Sequence, residues 1–401
     1  MIQKTDILVA GGGIAGLMAA MTFAHRGYDV ICADPAPPIT DQADAGSDLR
    51  STAFLLPAVE MFDQIGLWSH LAPHAAELNT MRLCDAGGVE NVIRETADFV
   101  PEEIGQPRFG YNLPNLALRR EMAGFAQSAD RLDLRFGTGV RNVLTRTSHA
   151  LVTLTDGTQV EAELVIGADG RSSPVRESAG ISVRTTRYGQ KAIVFAVSHA
   201  QPHDGISTEI HRTGGPFTLV PLPDAPTGTH RSAIVWMETG PKASALMELD
   251  EAAFTAAATE RSCHVLGPLT LESPRRIWPI ISQEAQALTA RRIALIAEAA
   301  HVMPPIGAQG LNTSFADIAA LRDASTRHGL GTPEMLADYA SARSRDISLR
   351  ERGVEWLNRA AMTDVQALRD LRRRGLAAIS GLAPIRQTAM RTGMGLSRPG
   401  Q

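Results

Sequence analysis

Three segments of this 401-residue chain combine glycines and acids in patterns that suit a dinucleotide. In Gly11-x-Gly13-x-x-Gly16, the first glycine permits a tight turn and the second lets the backbone approach a pyrophosphate. The third lets helix and strand pack closely. The N–H groups of Ile14 and Ala15 then open a helix whose positive end faces the phosphates. Asp34 closes the next apolar run and can accept hydrogen bonds from a ribose. The motif by itself does not separate NAD from FAD. A second segment, Gly167-Ala168-Asp169-Gly170, ends an apolar strand in an acid and a glycine before a Ser/Pro helix start. A third runs from Ala297-Glu298 through His301, Pro304 and Pro305 to Gly307-Ala308-Gln309-Gly310-Leu311-Asn312. Its glycine loop opens a helix and so presents free backbone N–H groups, suited to a ring carbonyl or an anion.

These segments need strands to carry them. Asp6 to Ala10, a helix from Ile14 to Arg26 and a strand from Asp29 to Ala33 form a βαβ pattern, which implies a parallel sheet. Helices are expected over Ser51 to Trp68, Leu116 to Ala129, Ala243 to Leu266 and Thr313 to His328. From Pro333 onward two helices are expected, broken near Ala361-Met362-Thr363. Asp156-Gly157 marks a hairpin within Leu151 to Glu161. Leu164 to Ile166, Arg275 to Ile281 and Arg292 to Ala297 read as strands. Residues 190–238 alternate apolar runs with Pro, Gly and His loops, the signature of an inserted antiparallel sheet.

At 44% hydrophobic and 20% charged, the composition excludes disorder and coiled coil. A net charge of −4 carries no nucleic-acid signature. Cys32, Cys84 and Cys263 lie too far apart for a zinc ribbon, and no metal site is expected. The uncharged run Ile7 to Ala24 is broken by four glycines and reads as strand plus helix rather than a membrane span. Charge is uneven: Arg343 to Gln401 carries +7, leaving −11 on the rest. A basic tail on an acidic body suggests an acidic partner or an anionic membrane surface.

The three segments together resemble the single-component FAD aromatic monooxygenases. Further stretches resemble the ubiquinone-biosynthesis hydroxylase branch. They are Asp48-Leu-Arg50-Ser51, Tyr188-Gly189-Gln190-Lys191-Ala192, Gly215-Pro216-Phe217-x-Leu219-x-Pro221-Leu222-Pro223, Arg372-Arg373-x-Gly375-Leu376 and Met394-Gly395-Leu396. The resemblance implies an α/β fold: a Rossmann-like FAD-binding domain with an inserted, mainly antiparallel substrate domain and a C-terminal helical segment. The FAD-binding domain is expected over residues 1–75, 100–180 and 285–330, the substrate domain over 76–99 and 181–284, and the Arg-rich helices over 331–401. Two departures stand out. Ala297-Glu298 and Ala308 replace the Gly-Asp and the first glycine of Gly-Gln-Gly usual in the family.

By the same resemblance, FAD is reduced by NAD(P)H and captures O₂ as a hydroperoxide, which hydroxylates an electron-rich, prenylated phenol. Gly11, Gly13, Ile14, Ala15, Gly16, Asp34, Arg50, Asn115, Arg119, Asp169, Gly170, Glu298, Gly307, Gly310, Leu311 and Asn312 would bind FAD. Pro304 and Pro305 would shape the substrate wall, and His301, Tyr188 and His211 are candidates for proton handling. A cytoplasmic protein is expected, with peripheral contact at the cytoplasmic membrane, accessory biosynthetic proteins as partners, and either a monomer or a dimer. Two alternatives stay open. One is a hydroxylase of a soluble aromatic acid, for which a buried Arg212 would clamp the carboxylate. The other is a weakly active flavoprotein serving as a complex subunit.

Overall fold

A computed structural model describes residues 2–44 and 46–396. The end of the basic tail, 397–401, lies outside the described residues.

Five parallel strands form the centre of one sheet, in the spatial order Ile293–Leu295, Gln159–Gly167, Gln3–Ala10, Val30–Asp34 and Leu132–Phe136. Ile7, Leu8, Val9 and Ala10 are all buried, because both faces of a parallel sheet are covered. The helix Ile14–His25 is buried from Ile14 through Ala24, and its apolar residues run around its whole circumference. From Gln3–Ala10 the chain builds outward to Val30–Asp34 and Leu132–Phe136, then returns to the other side with Gln159–Gly167. That reversal opens a crevice at the carboxyl ends of the two middle strands.

A second, nine-stranded sheet is almost wholly antiparallel; Thr80–Asp85 runs parallel to Ile206–His211. Its longest strand, Val183–His199, pairs with both His230–Thr239 and Arg276–Ala285. Ile193, Phe195 and Val197 alternate into a core with Phe217, Trp236 and Phe254. The strand His301–Val302 joins this sheet from outside the ranges expected for the substrate domain. A small third sheet pairs Ser51–Leu55 with Gly110–Pro114 and that strand with Ala76–Leu78.

Several expected helices are corrected. Ser51 to Trp68 is not one helix: Ser51–Leu55 is a strand, and the helix is Leu56–Gln64. Pro57 lies in the first turn of that helix, where its missing N–H is harmless; inside a helix begun at Ser51 it would break the ladder. Ala243 to Leu266 divides into Gly240–Glu248 and Glu251–Arg261, because Asp250 caps the second helix by accepting the Ala253 N–H at 2.8 Å. The glycine-loop helix starts at Gln309 rather than Thr313. Among the described residues the tail forms three helices, Pro333–Met362, Gln366–Gly381 and Ala383–Met394. Among the described residues no helix is long and apolar enough to cross a membrane.

Phe54, Phe62 and Phe315 are fully buried, with ring centroids 5.1–5.3 Å apart, and they join the third sheet to the helices Leu56–Gln64 and Gln309–His328. Truncating such a ring leaves a cavity. Phe54→Ala is expected to lower unfolding free energy by about 3–5 kcal/mol, read as a lower urea midpoint; a midpoint matching that of the parent chain would refute this packing.

Candidate functional site

The register of the parallel strands brings the glycine segments side by side. Ala10 lies opposite Ala33 on one side and Gly167 on the other, and Gly167 lies opposite Leu295. With neighbouring strands about 4.8 Å apart, the corners at Asp34, Gly11, Ala168 and Ile296 span about 15 Å. The exits are stitched together. Gly11 N donates to Ala33 O at 2.8 Å, Ala168 N to Ala10 O at 2.8 Å and Ile296 N to Gly167 O at 2.9 Å. Gly11 has φ +105°, and a Cβ there would lie 2.3 Å from Ala168 O. A Cβ on Gly16 would lie 1.9 Å from Gly11 O. Beneath this turn the Cys32 Sγ sits 3.6 Å from Gly11 O; burial, then the nearby Asp34 charge, pushes its thiol up to about 12.

The corners fit FAD. The helices Ile14–His25 and Gln309–His328 both start without a side-chain cap, leaving their first N–H groups for a ligand. Beside Gly13 and Gly310 there is open space where a Cβ would stand. Asp34 accepts the Gly12 N–H at 2.6 Å and the Ala36 N–H at 2.9 Å, which fixes its carboxylate at the end of the second strand. Asp169 Oδ2 accepts the Val175 N–H at 3.1 Å, but its Oδ1 is buried without a partner. Burial raises the Asp169 pKa against the hydrogen bonds from Ser173 and Val175. Gly170 follows it at φ +83°. Such an orphaned acceptor suits a hydroxyl of the ligand. Glu298 is exposed and pairs with Arg171 at 3.1 Å.

A polar knot lies beside these corners. Asp48 receives Arg50 Nε at 2.7 Å and Asn115 Nδ2 at 2.9 Å, with Arg119 at 3.6 Å. Burial pushes Asp48 upward, yet Arg50, Asn115 and Arg119 together hold it below the usual carboxylate range. The Arg50 guanidinium also lies over the Trp278 ring, 5.2 Å from its centroid. Arg50, Arg119, Arg276 and Trp278 line a cavity of about 310 Å³ between this knot and the antiparallel sheet. The Asn115 amide is engaged by Asp48 and by the Thr52 hydroxyl at 2.7 Å. The Asn312 side chain is a clamp. It accepts the Leu55 N–H at 2.9 Å and donates to Ala53 O at 2.8 Å and Ala308 O at 2.6 Å.

The proton candidates fall in different places. His301 is buried, and its Nε2 donates to Asp317 Oδ2 at 2.6 Å. Arg343 Nε donates to Asp317 Oδ1 at 2.7 Å, and Ala297 N reaches Asp317 Oδ2 at 3.3 Å. Burial pushes Asp317 up, and His301 and Arg343 hold it below the usual range. Tyr188 shares a 2.8 Å hydrogen bond with Ser282 and packs on a buried cluster containing Ile306 and Val354. Ile306 of that cluster follows Pro304 and Pro305, of which Pro304 is buried and Pro305 exposed. His211 bonds Glu209 at 2.6 Å, and its carbonyl accepts from Arg372, in a separate network around Asp85. Arg212 donates to Asn91 at 2.9 Å.

Two groups at the site carried no signal of their own in the sequence. Asp317 is one helix residue among many until His301 and Arg343 meet it. Glu351, one turn before Val354, has a buried Oε1 without a partner. Burial, then the Glu284 charge, raises it from 4.5 to about 7, against His301 and Arg184 and with Glu355.

Ala297 and Ala308 have φ of +54° and +56°, the left-handed region that glycine occupies freely. Replacing each by glycine is expected to stabilise the chain by about 0.5–1 kcal/mol net of glycine's unfolded-state entropy. A lower melting temperature for both variants would refute the strain. Glu351 holds its proton more tightly folded than unfolded, so its contribution to stability is lost as pH rises from 4.5 through about 7. Glu351→Gln should melt higher than the parent at pH 8, with the gap closing at pH 5; an equal gap at both would count against a titrating Glu351.

The sequence matches the family described as FAD binding domain over residues 4–349. It is 34% identical to the ubiquinone hydroxylase UbiL of Rhodospirillum rubrum, over 99% of this chain and 91% of that protein. It is 25% identical to the 3-demethoxyubiquinol 3-hydroxylase of Escherichia coli, over 98% and 99%. Its fold matches the crystal structure of p-nitrophenol 4-monooxygenase PnpA from Pseudomonas putida DLL-E4 with a TM-score of 0.78, at 16% identity over 99% of this chain and all of that one. With its three glycine corners in one crevice and this likeness along nearly its whole length, the chain belongs to the FAD-dependent aromatic hydroxylases, flavoprotein monooxygenases, in the branch of the ubiquinone hydroxylases.

Proposed function

We propose that the protein hydroxylates the ring of a prenylated phenol in ubiquinone biosynthesis, with FAD as cofactor and a reduced nicotinamide nucleotide and O₂ as co-substrates. The observation that carries this reading is the 34% identity to a ubiquinone hydroxylase over 99% of the chain. FAD, when bound, supplies the electron transfer and oxygen activation that side chains lack.

The chain's own residues hold, orient and keep dry. Asp34 and the start of the helix Ile14–His25 receive the nucleotide end, and Asp169 receives a hydroxyl of the chain between the phosphates and the ring. The first N–H groups of the helix Gln309–His328 favour negative charge at the ring. Pro304 and the cluster of Ala192, Met237, Ile280, Ile306 and Val354 form an apolar wall that excludes water. We assign the relay of the phenolic proton to Tyr188, which touches that wall and bonds Ser282. His301 instead holds the loop through Asp317. The arginine-lined cavity offers a cationic recess for the phosphates of the nicotinamide nucleotide. Arg212, the clamp a soluble aromatic acid would need, is bonded to Asn91, which favours the prenylated substrate.

The purified protein should carry flavin and oxidise a reduced nicotinamide nucleotide faster when a phenol is present. Asp169→Ala should weaken FAD binding roughly tenfold or more, because a charged acceptor is lost, with an unchanged circular dichroism spectrum. Deleting the gene in its host should make a quinone precursor accumulate, seen by mass spectrometry. An unchanged quinone profile would reject the pathway, and colourless protein that takes up no flavin would reject the enzyme.

A further inference from the structure

The tail helices expose apolar residues in an arrangement the charge count does not suggest. In Gln366–Gly381 much of the arginine charge points inward. Arg372 reaches Asp85 at 2.7 Å, and Asp85 also pairs with Arg94, which in turn pairs with Asp370. Leu376 and Ile379 pack on the cluster of Phe99, Phe109 and Met390. Beside this inward side, Leu368 and Leu371, with Leu382 just past the helix end, are each about half exposed or more, and Arg374 is exposed one turn on from Leu371.

The preceding helix, Pro333–Met362, carries a second such set. Arg345, Leu349, Arg352, Trp356 and Arg359 follow one another at spacings of four and three, so they form one stripe about 21 Å long. Leu349 is 59% exposed and Trp356 66%, a solvent exposure unusual for side chains of this size. Arg345, Arg352 and Arg374 have no hydrogen-bond or ion-pair partner among the described residues, and Arg359 pairs only with the neighbouring Glu355.

We propose that the stripe Arg345–Leu349–Arg352–Trp356–Arg359, aided by the exposed leucines of the next helix, docks the protein on an anionic lipid bilayer. Trp356 and Leu349 enter the interface, where an indole is favoured, and Arg352 between them, with Arg345 and Arg359 at either end, binds lipid phosphates. Charge selects this occupant. A second copy joined face to face would set these arginines against their own equivalents, whereas an anionic headgroup layer neutralises all of them. The inference deepens the proposed function, because a prenylated phenol resides in a bilayer and the enzyme must reach it there. The binding test contains no substrate, so its outcome is independent of that reading.

The full chain is sedimented with vesicles of phosphatidylcholine alone or mixed with phosphatidylglycerol. It should partition onto the mixed vesicles, weakly onto phosphatidylcholine, and less as salt rises. Arg345→Gln with Arg352→Gln should weaken binding roughly 30-fold. Leu349→Ser with Trp356→Ser should weaken it roughly tenfold or more. Both variants should keep the parent's dichroism, flavin content and turnover of a short-chain soluble phenol. No binding of the parent chain to mixed vesicles, or variants that bind as the parent does, would overturn the proposal. So would a dimer in size-exclusion chromatography that Trp356→Ser dissociates, since the stripe would then be a contact between copies.

Discussion

Gly11 is wedged between Gly16 and Ala168, and the geometry of the site follows from that contact. The carbonyl of Gly11 lies where a side chain on Gly16 would begin, and its own missing side chain leaves room for the carbonyl of Ala168. Only because both gaps are empty can two parallel strands and a helix start meet at one point. Asp34 and Asp169 then stand at the ends of the two strands that flank Gln3–Ala10, and the third corner follows one strand beyond Gln159–Gly167. A methyl group at either glycine would push the helix off the sheet and separate groups that have to act on one ligand.

The third corner depends on a buried charge network as well as on strand pairing. Asp317 gathers the Ala297 amide, the His301 ring and the Arg343 guanidinium, and Arg343 also reaches Asp346 and the Thr313 carbonyl. A lone buried carboxylate would be costly; one with both oxygens saturated fixes the elements around it. It ties the acid loop, a strand of the second sheet and two long helices together. Through the Ala297 amide it holds that alanine in left-handed backbone, and Asn312 bonds the carbonyl of the other, Ala308. The loop is linked to the tail too, since Gln309 Nε2 and Arg350 both donate to the Gly393 carbonyl.

What was legible in the sequence was local. Strand, glycine turn, helix and terminal acid lie within one short stretch, so Gly11 to Asp34 could be read directly, as could the Asp156-Gly157 hairpin. Ser51–Leu55 was hidden because the strand it pairs with begins at Gly110, far along the chain, and an apolar run of that length suits helix or strand alone. Asp250 was hidden inside a helix-favouring composition. Among the site residues, position could be inferred from neighbouring motifs but partners could not. His301 finds Asp317, and Asn115 finds Asp48 and Thr52, only after folding. The basic tail shows the same limit most clearly. Its net charge is evident from composition, but Arg372 turns inward to an aspartate at position 85, and the leucines are left facing out.

The buried Cys32 beneath the glycine turn bears on durability. Flavoproteins that activate oxygen shed some peroxide, and peroxide attacks cysteine as the thiolate. Burial lifts Cys32 to about 12 and Cys84 to about 11, and Cys263 is raised as well, first by its own burial. Near neutral pH each therefore stays in its protonated, sluggish form. The three thiols are thereby slow partners for any oxidant that needs a thiolate.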